Sequence, residues 1–91
     1  MPARVEVTVE PLPRRRRELD EAGVVASRAF QNDPFFEFLS PPPLLRARGL
    51  AIFWRAMIAS LGPHGTLSAA RDHAGRLVGV AAWVAPDGYP P

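Results

Sequence analysis

The sequence predicts a small α/β domain of the mixed (α+β) kind, ordered β-α-α-β-β, with two to three helices packed on a three-stranded antiparallel sheet. Three observations predict it. Near the start, Val5, Val7 and Val9 alternate with Arg4, Glu6, Thr8 and Glu10, the period-two pattern of a strand with one wet face. Two longer stretches follow in which apolar residues recur every three or four positions, as in helices with one buried stripe. Near the end, two apolar runs flank Asp72-His73-Ala74-Gly75. Aspartate first and glycine last suits a type I turn between antiparallel strands.

Taken in order, the first strand spans about residues 4–10. Pro11 and Pro13 end it, because proline donates no ladder hydrogen bond, and this suits the rim of a sheet. A helix is expected over about 14–31, with Leu19, Ala22, Gly23, Ala26, Ala29 and Phe30 along one stripe. Arg14 to Arg17 oppose the dipole at its start. Gly23 weakens a helix interior by up to about 1 kcal/mol relative to alanine, and close approach to the sheet would account for it. Asn32-Asp33-Pro34 stops the helix. Phe35, Phe36, Phe38 and Leu39 form one or two further helical turns before Ser40-Pro41-Pro42-Pro43 breaks the chain.

The second long helix covers about 44–61. Leu50, Phe53, Trp54, Met57, Ile58 and Leu61 make its apolar stripe, and Arg46, Arg48 and Arg55 occupy its remaining surface. Gly62-Pro63 ends it. A hairpin then runs over about 66–84. Its second strand, RLVGVAAWV, places Leu77, Gly79, Ala81 and Trp83 on one face and Val78, Val80, Ala82 and Val84 on the other. Both sets are apolar, so this strand expects cover on both faces and a central position in a sheet. The first strand is expected beside the second, with the helices across the sheet.

Ninety-one residues suffice for one domain, but a chain this small buries only roughly 60–65% of its unfolded surface, so its core is thin. The absence of cysteine excludes disulfides and thiolate chemistry and fits a reducing compartment. No run of 18 apolar residues occurs, so no membrane span is expected, and the polar alternation of the first ten residues is unlike a secretory signal. A cytoplasmic location is the expectation. Eleven arginines face nine acids, with no lysine. The Arg14–Arg17 block is followed at once by Glu18, Asp20 and Glu21, which reads as a solvated helix start, and no nucleic-acid partner is expected.

Chemistry-bearing constellations are few. His64 and His73 stand nine residues apart without a supporting cluster and read as loop residues, so no metal site is expected. No serine lies in a nucleophile elbow, and no glycine run forms a phosphate loop. What remains is an aromatic, proline-rich segment, Asn32 to Pro43, of the kind that lines pockets. Phe35, Phe36 and Phe38 read either as core plugs or as a pocket wall, and Trp54 and Trp83 carry the same two readings. The Tyr89 hydroxyl reaches either substrate or water.

Three segments resemble the N-terminal half of the GNAT family of N-acetyltransferases. Ala22 to Phe38, AGVVASRAFQNDPFFEF, is similar to the family's first-helix signature of an Ala-Phe pair, an acid, a proline and an aromatic. Leu45 to Leu61, with Arg46 near its start and Phe53-Trp54 within, resembles the second helix. Ala69 to Pro90 resembles the hairpin before the cofactor strand. The resemblance implies a partial GNAT acyl-CoA N-acyltransferase fold. It implies that, in a complete domain, acetyl-CoA is held by a mixed sheet with flanking helices and attacked by an amine, with a base and an acid moving protons. It places the acceptor, a small-molecule amine, against Asp33, Phe35, Phe36, Trp54, Trp83 and Tyr89.

The departure is as informative. The family's cofactor segment, Gln/Arg-x-x-Gly-x-Gly/Ala at a helix start, has no counterpart here. Arg71 to Gly75, RDHAG, has another length and lies in a hairpin turn. No cofactor-binding or catalytic residue is therefore assigned, and the chain is expected to be a fragment that binds no acetyl-CoA and transfers no acetyl group alone. A second expectation is a small non-catalytic interaction or dimerisation module, self-associating through the sheet edge at the last strand.

Overall fold

The computed structural model describes residues 6–61 and 64–86. It is a mixed α/β arrangement of three helices and a three-stranded antiparallel sheet. The elements are β1 (Thr8–Pro11), α1 (Arg16–Phe30), α2 (Pro34–Leu39), α3 (Pro43–Leu61), β2 (Gly65–Arg71) and β3 (Leu77–Val84), and the sheet order is β1-β2-β3.

The hairpin is closed by its turn chemistry. Gly75 N–H donates to the Asp72 carbonyl at 2.9 Å, and Asp72 N–H donates to the Arg76 carbonyl at 2.9 Å. Gly75 has φ +81°, a left-handed conformation that glycine adopts without a Cβ penalty. The Asp72 carboxylate accepts from the backbone N–H groups of Ala74 and Arg76, both at 2.9 Å. The Arg76 backbone bond foremost, and the Arg76 charge as well, hold its carboxyl below the usual aspartate range.

Sheet register decides which residues meet the helices. Ala69 is fully buried and pairs with Val80 on one side and Glu10 on the other. With Leu12, Leu67, Leu77, Ala22 of α1 and Ile58 of α3 it forms the core, against which Leu19, Val25 and Val80 pack. α1 and α3 therefore stand over the face that carries Ala69. Three expectations change as a result. First, β3 is an edge strand among the described residues, since β2 takes the middle. Apolar side chains on both faces give no information about which strands are neighbours. Second, Val9 of β1 does not face the core, and Val5 lies outside the described residues. Register sets Glu10, not Val9, beside Ala69, and Val9 is 69% exposed on the opposite face. Glu10 instead accepts from Arg71 Nε at 2.8 Å, and Arg71 Nη1 lies 4.0 Å from Glu21 of α1, so this helix-side rim is charged. Third, β3 contains a β-bulge. Arg71 pairs with Leu77 and Ala70 with Gly79, which leaves Val78 as the extra residue. The bulge turns Leu77 onto the same face as Val80 and Ala82, and leaves Trp83 on the other.

Gly23 allows a close approach, but to α3 and not to the sheet. A Cβ there would lie 2.7 Å from the Ala51 carbonyl oxygen and 2.9 Å from Arg55 Cβ. Around that crossing, Ser27 Oγ donates to the Ala47 carbonyl at 2.9 Å, and Arg55 pairs with Asp20. α1 begins one residue past Arg15, which provides no side-chain cap. Arg14 stands outside the helix and reaches the Gly65 carbonyl at 3.0 Å.

Two outcomes are expected. Gly23→Ala destabilises the chain by about 1–2 kcal/mol in urea unfolding, because overpacking against a backbone oxygen of roughly 1–3 kcal/mol exceeds the helix gain of about 1 kcal/mol. The Asp72 contribution is present above the ordinary aspartate pKa and is lost as pH falls through its depressed folded value. Amide resonances of Ala74 and Arg76 followed through acid should report that loss, and Asp72→Asn should remove the pH dependence while weakening the turn at neutral pH.

Candidate functional site

The segment between α1 and α3 is built from its caps inward. Asp33 precedes Pro34, whose fixed φ suits the first helical position, and the Asp33 carboxylate accepts from Phe35 N–H at 2.9 Å as the N-cap of α2. Two turns later the Ser40 N–H donates to the Phe36 carbonyl at 3.0 Å. The three prolines that follow lack backbone donors, so their surroundings must supply donors to the carbonyls.

Arg46 supplies two of them, its side chain to Pro41 and its backbone N–H to Pro42 at 2.9 Å. Sequence position marks it as a surface residue of α3, yet it is only 7% exposed. Its Nε donates to the Gln31 carbonyl at 2.8 Å, and its Nη1 donates to the carbonyls of Ser40 at 2.9 Å and Pro41 at 2.7 Å. One guanidinium thus joins the end of α1, the end of α2 and the proline run. Gln31 Nε2 adds a bond to the Pro43 carbonyl at 3.1 Å. The nearness of Arg46 to the carbonyl-rich break is the one signal the sequence offers, and Arg48, two residues on, shares it.

The clamp holds a chain of aromatic rings. Phe30 stacks on Trp54 with centroids 4.6 Å apart and planes at 22°. Phe36 meets Phe30 edge-on at 5.9 Å and Phe35 at 5.4 Å. Phe53 completes the group, 5.1 Å from Trp54 and 6.3 Å from Phe36. Of the residues expected at an acceptor site, Asp33, Phe35, Phe36 and Trp54 are therefore brought together, with Asp33 acting on the backbone. Trp83 is not with them. It pairs with Thr66 on the sheet face away from the helices and is 67% exposed. Tyr89 lies outside the described residues.

Two clefts flank the rings. One, of about 280 Å³, lies between α1, α3 and β3, with Phe30, Trp54, Ile58, Leu67 and Val80 among its walls. The other, of about 330 Å³, lies between α2 and α3, walled by Phe35, Phe36, Leu39, Leu50 and Phe53 with Arg46. Arg46 is the one ionisable side chain lining either cleft among the described residues. Trp54 Nε1 is buried with no hydrogen-bond partner among the described residues, a donor that burial leaves unsatisfied at about 1–3 kcal/mol. No group of three metal-ligating side chains occurs among the described residues, and no helix there is long and apolar enough to cross a membrane.

No protein-family model, no curated protein and no solved structure matches this chain.

Removing the clamp should loosen the whole segment. Arg46→Ala is expected to lower stability by about 3 kcal/mol, since it deletes three charge-assisted bonds and leaves their carbonyls without a donor. Arg46→Lys should recover only part of that, because an ammonium lacks the planar fork that spans three carbonyls. Urea midpoints of the two variants measure both.

Proposed function

We propose that this chain forms the acceptor side of a GNAT-type N-acetyltransferase domain, in which an amine attacks the thioester of acetyl-CoA. One observation carries the reading. Antiparallel β1, β2 and β3 lie in sequence order, α1 and α3 stand over one face, and the long uncharged edge of β3 is left for a further strand. The sequence resemblance implies the same order of strands and helices ahead of a cofactor-binding strand. An edge with no charge, proline or lysine between Leu77 and Val84 offers nothing to repel an added strand.

In this reading the Asn32–Pro43 segment and Trp54 bound the acceptor, whose apolar aromatic surroundings favour a small, partly apolar amine. The amine lone pair adds to the thioester carbonyl, the C–S bond breaks, the nitrogen gives up a proton and the departing thiolate takes one. That sequence needs a base and an acid. Neither cleft offers a carboxylate, imidazole or phenol among its described walls, so both roles and acetyl-CoA itself fall to residues beyond those described.

A second reading, a non-catalytic module that pairs through its sheet edge, is favoured by the exposure of Val9, Ala81 and Trp83 on the uncovered sheet face. The coding sequence beyond the Pro91 codon, with a thiol-release assay, separates the two. The transferase reading expects a Gln/Arg-x-x-Gly-x-Gly/Ala segment in frame. It further expects coenzyme A release from acetyl-CoA and an amine by the protein that includes it, and none by these 91 residues alone. A frame without that segment, in a chain that folds and self-associates unaided, overturns it in favour of the module.

A further inference from the structure

The wall of the cleft between α2 and α3 includes one cation, which has no counter-ion among the described residues. Arg46 is 7% exposed and has no carboxylate within 4.0 Å among the described residues, whose ion pairs are made by Arg55, Arg71 and Arg76. Arginine has five N–H donors in a fixed fork. The Nε donor and the Nη1 donors are taken by three carbonyls, whereas Nη2 makes no hydrogen bond to a described residue. Nη2 is also not among the fully buried polar atoms that lack partners, so it retains accessible surface. Carbonyl dipoles satisfy hydrogen-bonding geometry but leave the net charge, and a charge in largely apolar surroundings is stabilised by an opposite one.

The walls state what else the ligand must be. Phe35, Phe36, Leu39, Leu50 and Phe53 border an open cleft of about 330 Å³, within the size range of small-molecule sites. They supply apolar and aromatic contact and no second cation. A phosphate dianion would find one nitrogen for its several oxygens. A neutral apolar molecule would leave Arg46 uncompensated. A single carboxylate attached to an apolar body satisfies both the charge and the walls.

We propose that this cleft binds a monocarboxylate with an aromatic or branched aliphatic body, its carboxylate accepting from Arg46 Nη2 and its body lying against Phe36 and Phe53. The inference goes beyond acetyl transfer and does not rest on it, and a probe with neither amine nor thioester tests it separately.

The probe is 3-phenylpropanoate, titrated into the whole chain by calorimetry and ligand-observed NMR beside 3-phenylpropanamide and acetate. The amide keeps the body and loses the charge, and acetate keeps the charge and loses the body. Each is expected to bind at least about tenfold more weakly than 3-phenylpropanoate. Arg46 stays in place, because it also holds the loop. Gly49→Leu supplies the blocking variant: Gly49 lines the cleft, and an added Cβ there meets nothing within 4 Å. Leucine is the better helix former, so this variant should melt at or above the native temperature while losing the ligand. Equal affinity for the amide overturns the proposal, as does binding undiminished in a folded Gly49→Leu chain or no binding of 3-phenylpropanoate at millimolar concentration.

Discussion

The non-sheet half of this molecule depends on one guanidinium. The chain from the end of α1 to the start of α3 contains three prolines in succession, which have no N–H of their own, and the ends of two helices, which present carbonyls without a helical partner. Arg46 gathers the carbonyls of Gln31, Ser40 and Pro41. Because Gln31 follows α1, Ser40 follows α2 and Arg46 itself belongs to α3, one side chain ties all three helices together, beside the α1–α3 crossing at Gly23. The ring contacts from Phe35 to Trp54 then form within a frame whose geometry is already set.

The sheet half is governed by register. Glu10 beside Ala69 gives a charged rim on the helix side, bound to Arg71 and through it approaching Glu21. The same pairing sends Val9 outward and leaves Trp83 exposed. Among the described residues the sheet thus has one face covered by helices and one, carrying Val9, Ala81 and Trp83 beside Thr66 and Ser68, open. Its core is correspondingly slight: alanines at positions 22, 26 and 69 hold positions that leucine or isoleucine would fill in a deeper interior. Small residues let α1 lie close to both the sheet and α3, but they bury little area for each residue ordered.

Much of this architecture was legible in the sequence. Element order, the two helical stripes, the break at Asn32-Asp33-Pro34 and the Asp72–Gly75 turn each follow from local chemistry, and local chemistry is what a sequence records. The aromatic segment was legible as a candidate site for the same reason. What escaped depends on partners. A strand with apolar residues on both faces reads the same at the centre or the rim, so β3 was expected to be central. Alternation cannot reveal a bulge when neighbours are equally apolar, so it puts Leu77 and Trp83 on one face, which Val78 divides. Arg46 sits among other arginines on a helix and looks like them. Only the folded positions of three distant carbonyls distinguish it.

The bulge at Val78 also makes β3 a measuring device. Beyond Arg71 and Leu77 the strand no longer matches a regular ladder, whereas from Gly79 to Val84 the pairing is continuous. Any strand joining the free edge would find regular donors and acceptors only along that second stretch, roughly 20 Å at about 3.3 Å per residue. A segment of that length would turn its own apolar side chains to the helices or the open side as the parity of Val80 and Ala82 dictates, and a slip of one residue would reverse every one of them. The irregular end therefore limits the length of regular ladder that the β3 edge offers.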